Sequence, residues 1–421
     1  MNSTGGRLDR FHTGVPQNLI DRYAKRAAMM KQSEIRSLFA AASRPEIVSL
    51  AGGMPNLTAL PMEVMSSVVS TLITDNGQEA LQYGSGQGHP KLRELICDVM
   101  ALEGIRAHPD DVIVTTGSQQ ALDLITRIFI DPGDVILAEA PSYVGALGTF
   151  AQYEAQVVHV AMDGNGLIPE ALRAAIDSVR KSGRKIKFLY LIPNYQNPAG
   201  VSLSADRRSE ILEICQKAGI FVVEDNPYGL LGFDRPSPNA MRAADSENVI
   251  YLGSFSKTIA PGFRVGWTLV PQAVKEKVVI ASESSILCPS HFTQLAIASY
   301  LSDQPWREQI RSFASLYKER RDAMLSALEE HFPKGATWTK PEGGFYIWVT
   351  LPPEIDTKAM MPRAIAGKVA YVPGTAFFAD GLGSWSMRLS YCYPTPERIK
   401  QGIASLAEVV RGEMKLRGLI N

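Results

Sequence analysis

The chain is predicted to fold as an α/β protein: a large domain built on a mostly parallel sheet covered by helices, followed by a smaller α+β domain. Three observations predict this. Short, continuous, β-branched apolar runs recur through the first two thirds of the chain, each stops at turn residues, and helical patterns alternate with them. Runs of that kind are apolar on both faces, as strands are when helices cover both sides of a parallel sheet. Regular alternation of strand with helix is the pattern of α/β architecture.

The first such strand is 111–115 (DVIVT), which reaches Gly117 and leads into a helix over about 119–130. Next come 135–138 (VILA), ending before Pro141; 187–192 (KFLYLI), ending at Pro193-Asn194; and 220–223 (IFVV), ending at Glu224-Asp225. The strand 249–252 (VIYL) ends at Gly253, and 265–270 (VGWTLV) follows closely. After Pro289 the pattern changes. A charge-rich helical stretch over 292–331 leads to strands at 345–349 (FYIWV), 369–372 and 387–390, and a closing helix over 396–416. These boundaries divide the chain into an N-terminal arm over 1–60, a large domain over 61–290 and a small domain over 291–421. The arm contains a helical pattern at 32–42 and the turn-rich Ala51-Gly52-Gly53-Met54-Pro55.

A chain of 421 residues exceeds a single core of ordinary size, in keeping with two domains. Its 43 basic and 43 acidic side chains cancel. That balance gives no long-range pull toward nucleic acid or an anionic membrane and points to small-molecule partners. The segment MNSTGGRLDRFHTGVPQ lacks the apolar core of a secretory signal, and no apolar run approaches the ~18 residues of a bilayer span. Cys97, Cys215, Cys288 and Cys392 are scattered, without the paired spacing of a zinc site or disulfide framework, so no metal is expected and a reducing cytoplasm is.

In an open α/β sheet ligands sit beyond the carboxyl ends of the strands, and the unusual polar residues of this chain collect there. Gly117-Ser118-Gln119 opens a helix, whose free N–H groups favour an anion, although a Gly-Ser start also reads as a plain N-cap. Asn197-Pro198-Ala199-Gly200 follows the 187–192 strand, and Asp225, with Tyr228 three residues on, closes the 220–223 strand. Ser254-Phe255-Ser256-Lys257 follows the 249–252 strand, and Arg264 lies seven residues beyond the lysine. Hydroxyls with a guanidinium suit a phosphate dianion. An amine beside such a site, facing an aspartate on a neighbouring strand, suits a phosphorylated pyridine aldehyde.

On these residues the sequence resembles the fold-type I pyridoxal 5'-phosphate (PLP) aminotransferases of the aspartate aminotransferase superfamily, and within it the α-aminoadipate/kynurenine aminotransferase group. The motifs SLAGGMPN, LQYGSGQGHPKLR, TTGSQQALDL, PNYQNPAG, EDNPYG, SFSKTIAPGFRVGW, PEGGFYIW, VPGTAFF and MRLSY carry the likeness in order. The resemblance implies a seven-stranded large sheet, PLP as cofactor and transamination between amino acids and 2-oxo acids, with other PLP reactions on the same fold (β-lyase, decarboxylase) and a regulator-type PLP-binding domain as alternatives. It implies that Lys257 holds the cofactor as an imine, that Asp225 pairs with the pyridinium nitrogen, and that Tyr228 and Asn197 bond its phenolic oxygen. Tyr143 would stack on the ring; Ser118, Gln119, Ser254, Ser256 and Arg264 would cradle the phosphate. Arg388 would clamp the substrate α-carboxylate, and Gly53 would pass close to bound substrate. Tyr83 matches a tyrosine that reaches the other subunit's cofactor, which implies a homodimer. Arg36 aligns with an arm arginine able to reach a distal carboxylate. Tyr143, Phe345 and Phe378 are candidate pocket aromatics, and His89 and His291 are the histidines nearest the motifs.

Overall fold

The computed structural model describes residues 21–30 and 44–420. Arg36 and the helical pattern at 32–42 lie outside the described residues. Strand β1 (Val48–Ser49) is followed by helices Met62–Ala80 and Pro90–Ala101, and then by the large sheet. Its strands are β2 (Val112–Thr115), β3 (Val135–Ala140), β4 (Gln156–Asp163), β5 (Gly166–Leu167), β6 (Ile186–Leu191), β7 (Phe221–Asp225), β8 (Val249–Ser254) and β9 (Gly266–Leu269). They lie in the order β2-β9-β8-β7-β6-β3-β4-β5. The inner pairs β4–β3, β3–β6, β6–β7 and β7–β8 are parallel, whereas β9 runs antiparallel to both neighbours. The sheet thus has the seven strands expected, with β5 as a two-residue eighth at its edge.

One full strand, β4, is not among the runs read from the sequence. Its QVVHVAMD is mostly half-buried or exposed, with Val160 alone buried, because only β5 lies outside it, and His159 interrupts its apolar residues. The 292–331 stretch is two helices, His291–Asp303 and Trp306–His331. Pro305 lacks an N–H and disfavours helical geometry in the residue before it, and Gln304 is accordingly extended at φ −113°, ψ 155°.

The second half of the chain adds β10 (Thr337–Trp338), β11 (Tyr346–Thr350), β12 (Val369–Ala370), β13 (Val372–Pro373) and β14 (Ser386–Ser390), and closes with helix Pro396–Leu416. A four-stranded antiparallel sheet has the order β10-β11-β14-β13. The single strand expected at 369–372 is split: β12 pairs in parallel with β1, while β13 joins β14.

Two features of this topology position the site. The parallel run β6–β7–β8 delivers three carboxyl ends to one edge. The reversed β9 begins at that same edge, with Gly266 paired to Thr115 on one side and to Ser254 on the other. A Cβ at Gly266 would lie 2.6 Å from the backbone of Gly117 and Ser118, closer than any real side chain approaches. Gly266→Ala is therefore expected to destabilise the protein by about 1–3 kcal/mol through overpacking, lowering the midpoint of thermal unfolding by several degrees. An unchanged midpoint would contradict the close approach.

Candidate active site

A cavity of about 380 Å³ opens at the shared edge. Gly53, Ser118, Gln119, Tyr143, Asn197, Asp225, Tyr228, Ser254, Ser256, Lys257, Arg264 and Arg388 all line it. The segments that supply them are far apart in sequence and meet because the sheet gathers strand ends.

Asp225 is the last residue of β7 and is buried. Its Oδ2 accepts a hydrogen bond from the Tyr190 hydroxyl at 2.8 Å. Its Oδ1 is buried without a partner. Burial pushes the carboxyl up to about 6, against the opposing effect of the Tyr190 bond. A buried acceptor with nothing to accept is costly, and a ring N–H⁺ from a ligand in the cavity would relieve it.

At the opposite end lies an anion cradle. Gly117, at φ 78°, is the N-cap of helix Ser118–Phe129, so Ser118 is the first helical residue and its hydroxyl is not used as a cap. Gln120 is the first residue whose N–H turns back into the helix, to the Gly117 carbonyl at 3.2 Å. The N–H groups ahead of it, at the positive end of the helix dipole, suit a phosphate. Arg264, in left-handed geometry at φ 53°, spans the mouth of the cradle, donating to the Thr116 carbonyl at 3.2 Å and to Ser256 Oγ at 3.4 Å. Its guanidinium lies so close over Gly117 that a Cβ there would be 2.5 Å from Nη2. Ser254 Oγ accepts from the Ser256 N–H at 3.0 Å. The Gln119 side chain is turned away from the cradle and donates to Thr149 Oγ1 at 2.7 Å, leaving its backbone N–H as the group that faces an anion.

Between the two ends, Lys257 Nζ donates to the Gly53 carbonyl at 3.1 Å. Desolvation lowers the amine to about 8, helped by the positive charges of Arg388 and Arg264. Arg388, on β14, is buried. It donates through Nη1 to Asn197 Oδ1 at 2.9 Å and through Nη2 to the Ala51 carbonyl at 2.7 Å, and its Nε is buried without a partner. The guanidinium is sandwiched between the rings of Tyr346 at 4.3 Å and Phe377 at 5.0 Å. Neither of these contacts is a carboxylate, and a buried cation paired only with neutral groups favours an incoming anion.

Two residues of the site escaped the sequence reading. Tyr190 sits inside the apolar run of β6, where a buried hydroxyl demands a partner, and the neighbouring strand β7 ends in Asp225. Tyr346 lies within an apolar strand, yet it lines the cavity with its hydroxyl 3.5 Å from that of Tyr228. Other expectations fall elsewhere. Tyr83 is 76% exposed and borders a separate surface depression with Cys288 and His291. Phe378 borders a different cavity, beside Trp338 and Trp385. Phe345 is fully buried behind Lys257, with its ring 5.7 Å from Nζ. His89 and His291 pack edge-on against each other, 5.5 Å between ring centres, outside the cavity. Among the described residues no group of acids, histidines and cysteines could hold a metal ion, and no helix is long and apolar enough to cross a membrane.

This fold with an amine, a lone buried carboxylate and an anion cradle around one cavity defines an enzyme of amino-group transfer. The chain belongs to the class I and II aminotransferases, whose family model matches residues 46–406. It is 42% identical to aromatic-amino-acid aminotransferase 1 of Thermococcus litoralis, over 93% of this chain and 95% of that one. It is 34% identical to the 2-aminoadipate transaminase of Thermus thermophilus, over 95% and 99% of the two chains. The kynurenine aminotransferase of Pyrococcus horikoshii, solved in complex with PMP, superposes with a TM-score of 0.90 at 40% identity, covering 94% of this chain and 99% of that one.

Tyr190→Phe removes the bond that stabilises the charged form of Asp225. Its carboxyl should then titrate about one unit higher than in the parent, so that it is protonated at a pH where the parent's is ionised. Infrared difference spectra of the cofactor-free protein across that range check this; an unmoved carboxyl band would contradict it.

Proposed function

We propose that the chain binds PLP through Lys257 and, by ping-pong transamination, moves amino groups between an L-amino acid and a 2-oxo acid such as 2-oxoglutarate. The observation that supports this most directly is the pairing of two unsatisfied buried groups, Asp225 Oδ1 and Arg388 Nε, on a cavity whose amine is already depressed toward neutrality. PLP, when bound, supplies an aldehyde that exchanges between amines and a ring that takes up electrons.

Each residue then has a task. Asp225 would hold a proton on the ring nitrogen of bound PLP, and pairing with that positive charge would bring its carboxyl below the value that burial gives it. The N–H groups of Ser118 and Gln119, the hydroxyls of Ser254 and Ser256, and Arg264 hold the phosphate; Tyr143 covers the ring. Tyr228 and Asn197 bond the phenolic oxygen. Arg388 grips the substrate α-carboxylate with two parallel bonds, which aligns the Cα–H with the Lys257 amine. The Lys257 amine, which lines the same cavity, would be the base that accepts the Cα proton and the acid that gives it back.

The donors we favour are 2-aminoadipate, glutamate, and aromatic or branched amino acids; the names of the Thermococcus and Thermus relatives support the aromatic and aminoadipate choices. Gly53 would lie against substrate and Arg36 would receive a distal carboxylate. We further propose a homodimer in which Tyr83, exposed in one protomer, completes the phosphate site of its partner. Residues 61–290 would form the cofactor-binding domain and 291–421, with part of the 1–60 arm, the smaller one. Four unbonded cysteines suit a reducing cytoplasm.

The purified protein should carry a visible chromophore, and an amino acid alone should bleach it with release of one equivalent of 2-oxo acid. Lys257→Ala should do neither; turnover of that variant near the parent rate would overturn the assignment. A second expectation concerns pH. The neutral amine is the nucleophile, and its folded value of about 8 lies below that of an ordinary lysine, so roughly a tenth of it is neutral near pH 7. PLP uptake by cofactor-free protein should quicken as pH rises to about 8 and level off above it. A rate that goes on climbing toward the ordinary lysine value would show that Lys257 is not desolvated.

A further inference from the structure

Tyr346 lines the cavity but has no task in the reaction described so far. Its position is tightly fixed. It lies on β11, paired with Ser390 of β14, and its carbonyl abuts Gly200, where a Cβ would come within 2.3 Å. Its ring carries Arg388 at 4.3 Å and meets the Tyr228 ring at 87°. Its hydroxyl fills the space beside Gly53, where a Cβ would be 2.3 Å from the phenolic oxygen. That contact is reason enough for residue 53 to lack a side chain, whatever substrate does there.

The hydroxyls of Tyr228 and Tyr346 are 3.5 Å apart, long for an O–H···O bond; a closure of about 0.7 Å brings them to the usual length. Contacts of this kind commonly tighten when a site is filled. Counting protons then fixes the direction. A phenol has one O–H to give. In the structure Tyr228 is the donor to Tyr346; if Tyr228 instead gives its proton to the phenolic oxygen of PLP, its own oxygen can only accept, and the Tyr228–Tyr346 bond has to reverse and run from Tyr346. Bonds in such a relay polarise one another, so the first donor strengthens the second.

We propose that Tyr346 is a positioning residue whose hydroxyl donates to Tyr228 and thereby strengthens the Tyr228 bond to the cofactor's phenolic oxygen. The inference rests on the proposed PLP function. With PLP bound, a phenolic oxygen held more firmly by Tyr228 would share less electron density with a proton on the Lys257 nitrogen, which would then leave at lower pH and shift the colour change down. The charged and titratable groups around the pair are Arg388, Tyr143 and Cys392. The thiol and the phenol are held neutral by burial, so none of the three changes charge between about pH 5 and 8.

The experiment is a spectrophotometric pH titration of the holoenzyme as parent, Tyr346→Phe, Tyr228→Phe and the double variant. Tyr346→Phe keeps the ring on Arg388, so its cofactor content and melting midpoint should match the parent. Its colour change should move up by about half to one pH unit. Tyr228→Phe should move it further, and the double variant no further than Tyr228→Phe alone. An unmoved colour change in Tyr346→Phe overturns the relay, as does a shift that adds to that of Tyr228→Phe. A raised KM for the amino donor with the colour change unmoved also overturns it, because the hydroxyl then serves substrate. A parent protein without a chromophore overturns the function itself, and that result is read before any variant is made.

Discussion

The structure depends on two buried charges that the protein leaves only half satisfied. Asp225 and Arg388 face the same cavity from different sheets, each with a polar atom that has no partner. Burying a charge without full compensation is among the more expensive things a fold can do. The surrounding architecture is arranged to support that cost. β7 is flanked on both sides by parallel strands, and Asp225 gets its one bond from Tyr190 of the adjacent β6. Arg388 is held by Asn197 and Ala51, which anchor it to a loop of the large sheet and to the N-terminal segment. A ligand with a cationic ring nitrogen and an anionic carboxylate would relieve both at once.

The same cavity is where sequence-distant segments become one unit. Lys257 reaches across to Gly53, Arg264 across to Thr116, and Arg388 across to Asn197. Glycine at 117 admits the Arg264 guanidinium, at 200 the Tyr346 carbonyl and at 266 the Gly117–Ser118 backbone, since a Cβ at any of the three would meet that group at 2.3 to 2.6 Å. Gly117 and Gly200 also adopt positive φ, so at those two positions backbone conformation and space make the same demand.

Much of this was legible in the sequence because polar residues at strand ends are where an α/β sheet exposes its chemistry. Ser118, Asn197, Asp225 and Lys257 could be found that way, with the motif order supplying the roles, whereas Arg388, in the middle of β14, came from its motif alone. What was not legible depends on relations across the sheet. β4 was hidden because its half-solvated position breaks up its apolar residues. Tyr190 and Tyr346 sit within apolar runs, and only strand register shows which polar group each hydroxyl faces. Phe378 was assigned to the pocket by residue type, but its segment leads into another cavity. The split of the 292–331 helix was signalled by Pro305 alone, and the wider charge pattern masked it.

The sandwich of Arg388 between Tyr346 and Phe377 has a thermodynamic consequence. A free arginine side chain loses about 2 kcal/mol of rotamer freedom when it is immobilised around a ligand. Here stacking and two bonds to the protein impose that loss when the chain folds, with the Nε–H still available. A carboxylate arriving at this guanidinium meets a rigid fork, an advantage of roughly 30-fold in affinity over the same contact made by a mobile arginine.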